Sequence, residues 1–200
     1  MFFSLYGLIY QVLIDPVLSS LYPYILSNIN PSDKVIDVAC GTGSLSFAIS
    51  ESGSYVTGID ISESMIETAR KSARKRNIKN VRFSVLDASD LSQFRSREFD
   101  VAVITMAVHQ FDKEQAIKIL GQMKRIAAKV IIMDYNYPMP ANFSGAITSG
   151  IERIVGGEHY RNFRVYIKYN GMGYFLKRAG LVVRSQVVSG NKLFIISECK

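Results

Sequence analysis

Three aspartates stand at the ends of successive β-branched runs, the position that a ligand-binding crevice requires. Asp37 lies near the end of the first run, Asp60 ends the second, and Asp87 follows the third. If these runs are parallel strands, their carboxyl ends meet at one edge of a sheet, where the ligands of such sheets bind. Any one of these acids could instead cap a helix or close a turn. Because all three aspartates stand in phase with the strands, we favour one shared site, where carboxylates can bind an ammonium group or ribose hydroxyls.

A run of small residues, Ala39–Ser44 (ACGTGS), follows the first strand. Small residues at alternate positions let the backbone turn sharply and let a ligand approach the main chain. The helix that begins there presents free N–H groups. A dinucleotide fingerprint would read G-x-G-x-x-G, whereas the residue three positions after Gly43 is Ser46. Because Asp37 would repel a pyrophosphate and attract an ammonium group, the pattern disfavours a nicotinamide-dependent oxidoreductase.

The elements that must position these residues alternate between strand and helix. Strands alternating with helices predict a parallel sheet with right-handed crossovers. A closing hairpin, with a turn at Ser189-Gly190-Asn191, adds one antiparallel strand. The predicted fold class is therefore α/β: a doubly wound, mostly parallel seven-stranded sheet with helices on both faces. The predicted strands are Lys34–Val38, Tyr55–Ile59, Val81–Leu86, Phe99–Thr105, Val130–Asp134, Leu181–Val188 and Lys192–Ile196.

Helical periodicity marks the connections between these strands. A helix is predicted over Ser62–Lys75, with Ser64 and Glu67 as a capping box. A later helix is marked by apolar residues at helical spacing, namely Ile117, Leu120, Met123 and Ala127. These helices would cover the faces of the sheet.

Length and composition indicate one ordinary globular domain preceded by an apolar segment. The chain has 200 residues, a net charge of +7 and two distant cysteines, which predict no disulfide framework and a cytoplasmic location. The uncharged run Met1–Ile14 is shorter than the roughly 20 residues of a membrane-spanning helix. Residues 1–33 are therefore interpreted as a helical cap that packs on the core, covers the substrate or lies on a membrane surface. Its candidate core- or substrate-facing residues are Tyr6, Tyr10, Leu13, Leu18, Leu21, Tyr22 and Tyr24.

At these residues the chain resembles the class I S-adenosylmethionine-dependent methyltransferases, in the branch of type 11-like enzymes that act on small molecules. The segment Val35–Gly43 (VIDVACGTG) is the specific part of a resemblance that covers residues 34–135 and returns at Phe175–Val183. It implies a Rossmann-like fold over residues 34–200, with a substrate-covering segment near 136–173. Most relatives have glycine where Ala39 stands, and alanine costs little there if its φ stays negative.

The resemblance also implies a cofactor, S-adenosyl-L-methionine, and a role for each matching position. Asp37 would face the methionine amino group, and Asp60 would hold the ribose hydroxyls. Small residues would pass beneath the methionine and ribose, and further residues would line the adenine. Thr105 and Met106, after the fourth strand, would face the sulfonium and the acceptor. The small residues are Ala39, Gly41 and Gly43, and those at the adenine are Ile61, Asp87 and Ala88.

The acceptor side offers two histidines and a tyrosine. His109 follows the fourth strand and is interpreted as a structural residue, a general base or a substrate contact. Metal ligation is disfavoured because no companion ligands stand at a suitable spacing. His159 and Tyr160 lie in a polar, aromatic stretch after the fifth strand, which predicts either pocket contacts or loop packing.

The apolar and aromatic segments favour a small, partly hydrophobic acceptor, and the sequence leaves the oligomeric state undetermined. A dense basic run, Arg70–Arg82, could bind nucleic acid. Its place at the carboxyl end of a helix, where cations suit the dipole, favours a solvated surface instead. The alternatives to a small-molecule methyltransferase are an RNA or protein methyltransferase of the same fold and a non-catalytic nucleotide-binding module.

Overall fold

The computed structural model describes residues 18–141, 150, 152–153 and 156–200. Seven strands form one sheet in the order β3-β2-β1-β4-β5-β7-β6. Strands β1 to β5 pair in parallel, and β7 runs antiparallel to both of its neighbours. The predicted α/β fold, with one antiparallel strand from a closing hairpin, is confirmed.

The elements follow one another as the sequence predicts, with several ends shifted by one to three residues; the largest shifts are at the start of β5 and the end of β7. The strands are β1 Lys34–Val38, β2 Tyr55–Asp60, β3 Val81–Val85, β4 Phe99–Thr105, β5 Ala127–Tyr135, β6 Val183–Val188 and β7 Phe194–Cys199. The helices are α1 Tyr22–Leu26, α2 Ser44–Glu51, α3 Glu63–Lys75, α4 Lys113–Ile126, α5 Gly157–Lys168 and α6 Met172–Arg178, with a 3₁₀ turn at Val108–Gln110.

The central strands hold the core. Four of the five residues of β1 are buried, as are five of the seven in β4. Such continuous apolar runs suit parallel strands that helices cover on both faces. By contrast, β6 is exposed along its whole length, because it forms the edge of the sheet. The rigid middle of the sheet therefore places the ends of β1, β2, β4 and β5 side by side.

Two details of the predicted helices are wrong. Ser62, and not Ser64, caps α3, and its side chain accepts a hydrogen bond from the Met65 amide at 3.4 Å. The extended backbone of Ser62 lets its oxygen reach back to the first turn, whereas Ser64 already lies inside the helix. Ala127 does not belong to α4, because its backbone is extended and it begins β5.

The N-terminal segment agrees only in part with the expectation that its apolar residues face the core. Leu18, Leu21 and Tyr22 are buried, but Tyr24 is 46% exposed and faces solvent. Helix α1 is a short turn with one buried face, so Tyr24 falls on its other side. Tyr6, Tyr10 and Leu13 lie outside the described residues. In the part of the chain that the structure describes, no helix has the length and apolarity needed to cross a membrane.

The loop between β1 and α2 is held against the neighbouring strands through its glycines. Gly43 has a φ of +84°, and a Cβ added there would lie 2.6 Å from the Phe83 Cζ. The Phe83 ring is buried and packs edge-on against Phe47, so it has little room to move. Gly41 has a φ of +54°, but a Cβ added there would meet nothing within 4 Å. The backbone conformation demands glycine at both positions, whereas the packing does so only at Gly43.

This difference predicts unequal costs for two alanine variants. Gly43→Ala should lower the free energy of unfolding by about 1–2 kcal/mol for the left-handed backbone and by a further ~1–3 kcal/mol for overpacking against Phe83. Gly41→Ala should cost only the backbone part. Urea denaturation of both variants measures the difference, and equal costs would contradict the proposed contact with Phe83.

Candidate functional site

Asp37 is a buried carboxylate with one oxygen satisfied and one left over. Its side chain is 1% exposed, and its Oδ2 accepts a hydrogen bond from the Ser46 hydroxyl at 2.6 Å. Its Oδ1 is buried and has no hydrogen-bond partner among the described residues. A buried carboxylate oxygen without a donor is costly, so the site suits a donor that comes from a ligand.

Burial also changes the ionisation of this group. Desolvation raises the pKa of Asp37 to about 7, against the effect of the Ser46 hydrogen bond, and repulsion by Asp60 adds to the increase. A positively charged partner at Oδ1 would reverse this effect, because an opposite charge stabilises the ionised form. The electrostatics of the site therefore favour a cation.

Asp60, at the end of β2, fixes the glycine loop. Its Oδ2 accepts a hydrogen bond from the Gly41 amide at 2.8 Å, and its Oδ1 accepts one from the Ser62 amide at 2.9 Å. Each oxygen still has a lone pair for a hydroxyl group. The carboxylate thus connects the loop after β1 to the start of α3, a contribution that the sequence does not reveal.

The other residues predicted at the cofactor lie along the same edge of the sheet. Ile61 directly follows β2 and is 69% exposed, which is unusual for an isoleucine. Beyond β3, Asp87 is exposed and accepts a hydrogen bond from the Ser89 amide, whereas Ala88 is buried. Thr105 ends β4 and is half-buried.

Two non-glycine residues beside the loop have left-handed backbone. Ala39 has a φ of +55° and Met106 a φ of +52°. Alanine at position 39 is expected to cost little stability if its φ is negative. The φ is positive, so this condition is not met. The left-handed conformation is needed because the chain turns from β1 toward the Cys40 amide, which donates to the Ile59 carbonyl at 3.0 Å. Strained backbone at both positions is typical of functional sites.

His109 lies in the 3₁₀ turn after β4 and is held by Asp134 of β5. Its Nδ1 lies 2.6 Å from the Asp134 Oδ1, and its backbone amide donates to the Asp134 Oδ2 at 3.2 Å. The Tyr135 amide also donates to Oδ1, at 2.7 Å. Because Asp134 accepts all of these hydrogen bonds, the proton of a neutral His109 lies on Nδ1, and Nε2 is left with a lone pair.

Glu152 brings the second histidine to the first. It is 4% exposed, and its Oε2 lies 2.6 Å from the His159 Nε2. Its Oε1 accepts a hydrogen bond from the Tyr135 hydroxyl at 2.8 Å and lies 3.6 Å from the His109 Nε2. We call His109, Asp134, Glu152 and His159 the polar cluster.

The ionisation of the polar cluster follows from its opposite charges. Burial alone would lower the pKa of His109, but attraction to Asp134, the hydrogen bond to it, and attraction to Glu152 raise that pKa above its usual value. Burial alone would raise the pKa of Glu152, but the His159 hydrogen bond and both imidazoles lower it. Both carboxylates of the cluster therefore favour a positive charge between them.

Aromatic rings enclose the polar cluster. The His109 ring lies 4.7 Å from the Tyr135 ring and 6.2 Å from the Phe163 ring, measured between centroids. Tyr160 is half-buried, and its ring stacks on Phe163 at 6.5 Å. The structure thus brings His109, His159 and Tyr160 to one region. Asp134 and Glu152 belong to the same region and were missed as functional candidates.

The basic run on α3 and β3 is partly committed to contacts within the fold. Arg70 donates two hydrogen bonds to the Phe83 carbonyl, and Arg82 donates one to the Thr57 hydroxyl at 2.9 Å. The Arg76 guanidinium lies 4.9 Å from the centre of the Phe47 ring. These contacts give three members of the run a role within the fold.

The residues at the loop fit the cofactor that the resemblance implies. The orphaned Oδ1 of Asp37 suits an ammonium group, the space beside Gly41 admits a ligand to the backbone, and Asp60 keeps lone pairs for hydroxyls. Comparison with known proteins leads to the same family. A family model described as a methyltransferase domain matches residues 29–159.

Curated relatives include ubiquinone biosynthesis O-methyltransferases. The one from Pseudomonas fluorescens Pf-5 is 30% identical over 156 residues, which are 76% of this chain and 65% of the relative. The one from Acinetobacter baumannii AYE is 24% identical over 155 residues, which are 76% of this chain and 64% of the relative. The chain therefore spans less than two thirds of the length of these relatives.

Solved structures share the fold over almost the whole chain. The PH0226 protein of Pyrococcus horikoshii OT3 superposes with a TM-score of 0.73 at 22% identity, covering 96% of this chain and 97% of that one. Magnesium protoporphyrin IX methyltransferase of Synechocystis PCC 6803, with bound S-adenosylhomocysteine, has a TM-score of 0.64 at 20% identity, covering 92% and 82%. The chain belongs to the methyltransferase-domain family and has the fold of the class I S-adenosylmethionine-dependent methyltransferases.

Proposed function

We propose that the protein transfers a methyl group from S-adenosyl-L-methionine to a hydroxyl group of a small, partly hydrophobic acceptor. The observation that carries this proposal is the buried Asp37 Oδ1, which lacks a partner at the carboxyl end of the first strand. A cofactor with an ammonium group supplies the missing donor. When bound, S-adenosylmethionine provides an electrophilic methyl group on a positively charged sulfur.

On the cofactor side, each residue of the loop has a distinct part. Asp37 would receive the ammonium group, directly or through water. Asp60 would accept hydrogen bonds from the ribose while it holds the Gly41 amide. Gly41 and the left-handed Ala39 would let the ligand lie against the backbone. Ile61, Asp87 and Ala88 would lie at the adenine.

On the acceptor side, Thr105 and the polar cluster would face the reacting atoms. Polar groups among aromatic rings suit an acceptor ring that carries a hydroxyl group, because the rings would bury its apolar part and the cluster would bind its oxygen. The relatives named O-methyltransferases support an oxygen acceptor. Holding the acceptor oxygen in line with the methyl group can lower the barrier by about 7–11 kcal/mol.

The first prediction concerns the pH dependence of cofactor binding. Since Asp37 of the free protein keeps its proton up to a pH of about 7, binding an ammonium group at lower pH must first remove that proton. We expect the affinity for S-adenosylhomocysteine to fall by up to about tenfold for each pH unit below 7. Isothermal titration calorimetry measures this affinity over about 1.5 pH units on either side of pH 7.

Asp37→Asn should remove this pH dependence and weaken binding at least about tenfold. It should also stabilise the free protein at neutral pH. The raised folded pKa makes the free energy of unfolding decrease between about pH 4 and pH 7, and the variant lacks this decrease. Asp90→Asn, at an exposed turn, is the matched control and should leave binding unchanged. A pH-independent affinity in the wild-type protein would contradict the role of Asp37.

A second prediction separates the two contributions of Asp60. Asp60→Ala removes a charged acceptor from the Gly41 and Ser62 amides, so it should lower the free energy of unfolding by about 1.5–3 kcal/mol. It should also weaken S-adenosylhomocysteine binding at least about tenfold. Urea denaturation and calorimetry measure the two effects. Unchanged affinity would remove Asp60 from the cofactor site, whatever the effect on stability.

The methyl acceptor is tested with methyl-labelled S-adenosylmethionine and a panel of hydroxylated aromatic compounds, aromatic amines and total RNA. We expect label in the hydroxylated compounds, identified by mass spectrometry, and none in the RNA. Labelled RNA would overturn the proposed acceptor class. Thermal shift with NAD is the control for the cofactor, since only S-adenosylhomocysteine should raise the melting temperature.

A further inference from the structure

The polar cluster contains a set of atoms with the composition of a metal site. The His109 Nε2, a Glu152 carboxylate oxygen and the His159 Nε2 all lie within 4.8 Å of one another. His109 and Glu152 are buried, and His159 is mostly so. In the described part of the chain this is the one group of three such ligands. It also uses both histidines of the sequence.

The orientation of His109 directs its Nε2 toward Glu152. Asp134 binds Nδ1, so the Nε2 of the neutral ring carries a lone pair. That lone pair faces the Glu152 Oε1 at 3.6 Å, and Oε1 already accepts a hydrogen bond from the Tyr135 hydroxyl. Two acceptors facing each other in a buried site require a cation or a proton between them. A carboxylate on the far nitrogen of a ligating histidine is the common second contact of metal sites.

The charges of the cluster match a divalent ion. Asp134 and Glu152 bring two negative charges into an aromatic environment. A divalent cation balances both carboxylates while the two imidazoles stay neutral, which is the form in which imidazole binds metals.

The distances need little adjustment to hold an ion. Ligands at about 2.0–2.1 Å from a tetrahedral ion lie about 3.4 Å from one another. The separation of the His109 Nε2 and the Glu152 Oε1, 3.6 Å, already agrees with that value. The His159 Nε2 lies 2.6 Å from the Glu152 Oε2, so it would exchange this hydrogen bond for coordination and move outward.

The geometry points to a binding site for a divalent transition-metal ion, with His109, Glu152 and His159 as ligands and Asp134 and Tyr135 as the groups that orient them. Two imidazoles and one carboxylate suit Zn²⁺ and similar ions, whereas Mg²⁺ and Ca²⁺ prefer oxygen ligands alone. Three protein ligands leave a coordination position for a water molecule or for an oxygen of the acceptor. The site itself does not depend on the proposed function, and only the binding of an acceptor oxygen does.

The test is a titration of the chelator-treated full chain with Zn²⁺, followed by calorimetry, with Co²⁺ absorption spectra as a second readout. We expect one ion per chain and a Co²⁺ spectrum of low coordination number. Glu152→Gln should weaken Zn²⁺ binding at least about 100-fold, and Asp134→Asn by about 10–100-fold. Glu158→Gln is the matched control, because Glu158 is exposed, adjoins His159 and pairs with Arg161. It should bind Zn²⁺ as the wild-type protein does.

His159→Gln, at a less buried position, gives a second variant in case Glu152→Gln fails to fold. Circular dichroism establishes whether each variant is folded. A wild-type affinity equal to that of a folded Glu152→Gln or His159→Gln variant would overturn the metal site. S-adenosylhomocysteine binding, measured on the same samples without metal, should be unchanged in these variants. Zn²⁺ binding without S-adenosylhomocysteine binding would refute the proposed function and leave the metal site standing. S-adenosylhomocysteine binding without Zn²⁺ binding would refute the metal site and leave the proposed function standing.

Discussion

Carboxylates at the ends of the central strands, buried at Asp37 and Asp134 and half-buried at Asp60, impose the main constraint on this protein. Removing a carboxylate from water is tolerated only where donors or cations replace the lost hydration. Asp60 and Asp134 obtain their donors from the backbone amides of Gly41, Ser62, His109 and Tyr135. Asp37 obtains only one, from Ser46, and its second oxygen is left for a ligand. The carboxylates that have hydrogen-bond donors thus hold the site in place, and the carboxylate that lacks one is available to bind a ligand.

The architecture could be predicted because its determinants are local. Buried parallel strands are apolar along their length, and the helices between them show one apolar face, so the order of elements and the closing hairpin follow from the pattern. The small residues after β1 and the acids after β1 to β3 mark the cofactor edge for the same reason. The errors fall at the ends of helices and strands, such as the cap at Ser62 and the boundary at Ala127, where a single backbone angle decides the assignment.

The polar cluster could be predicted only in part. His109 was recognised as a candidate because it follows a strand of the sheet, and His159 because it lies in a dense polar stretch. Asp134 stands near the end of β5, in phase with the acids at the ends of the earlier strands, so its position does carry a signal in the sequence. Glu152 carries no local signal, since it reaches His109 and Tyr135 through tertiary packing alone. The sequence argument against a metal considers only companion ligands at a short spacing, whereas the ligands that we propose for His109 come from a distant segment.

The polar cluster is assembled from two unequal halves. His109, Asp134 and Tyr135 belong to the central sheet and the turn beside it, whereas Glu152 and His159 come from the chain that follows β5. A ligand that contacts both halves binds more tightly when the later chain is in place. By reciprocity, the bound ligand stabilises that position of the chain. Binding at the polar cluster and the position of the later chain are thus thermodynamically linked. A substitution far along the later chain can therefore alter ligand affinity without touching the ligand.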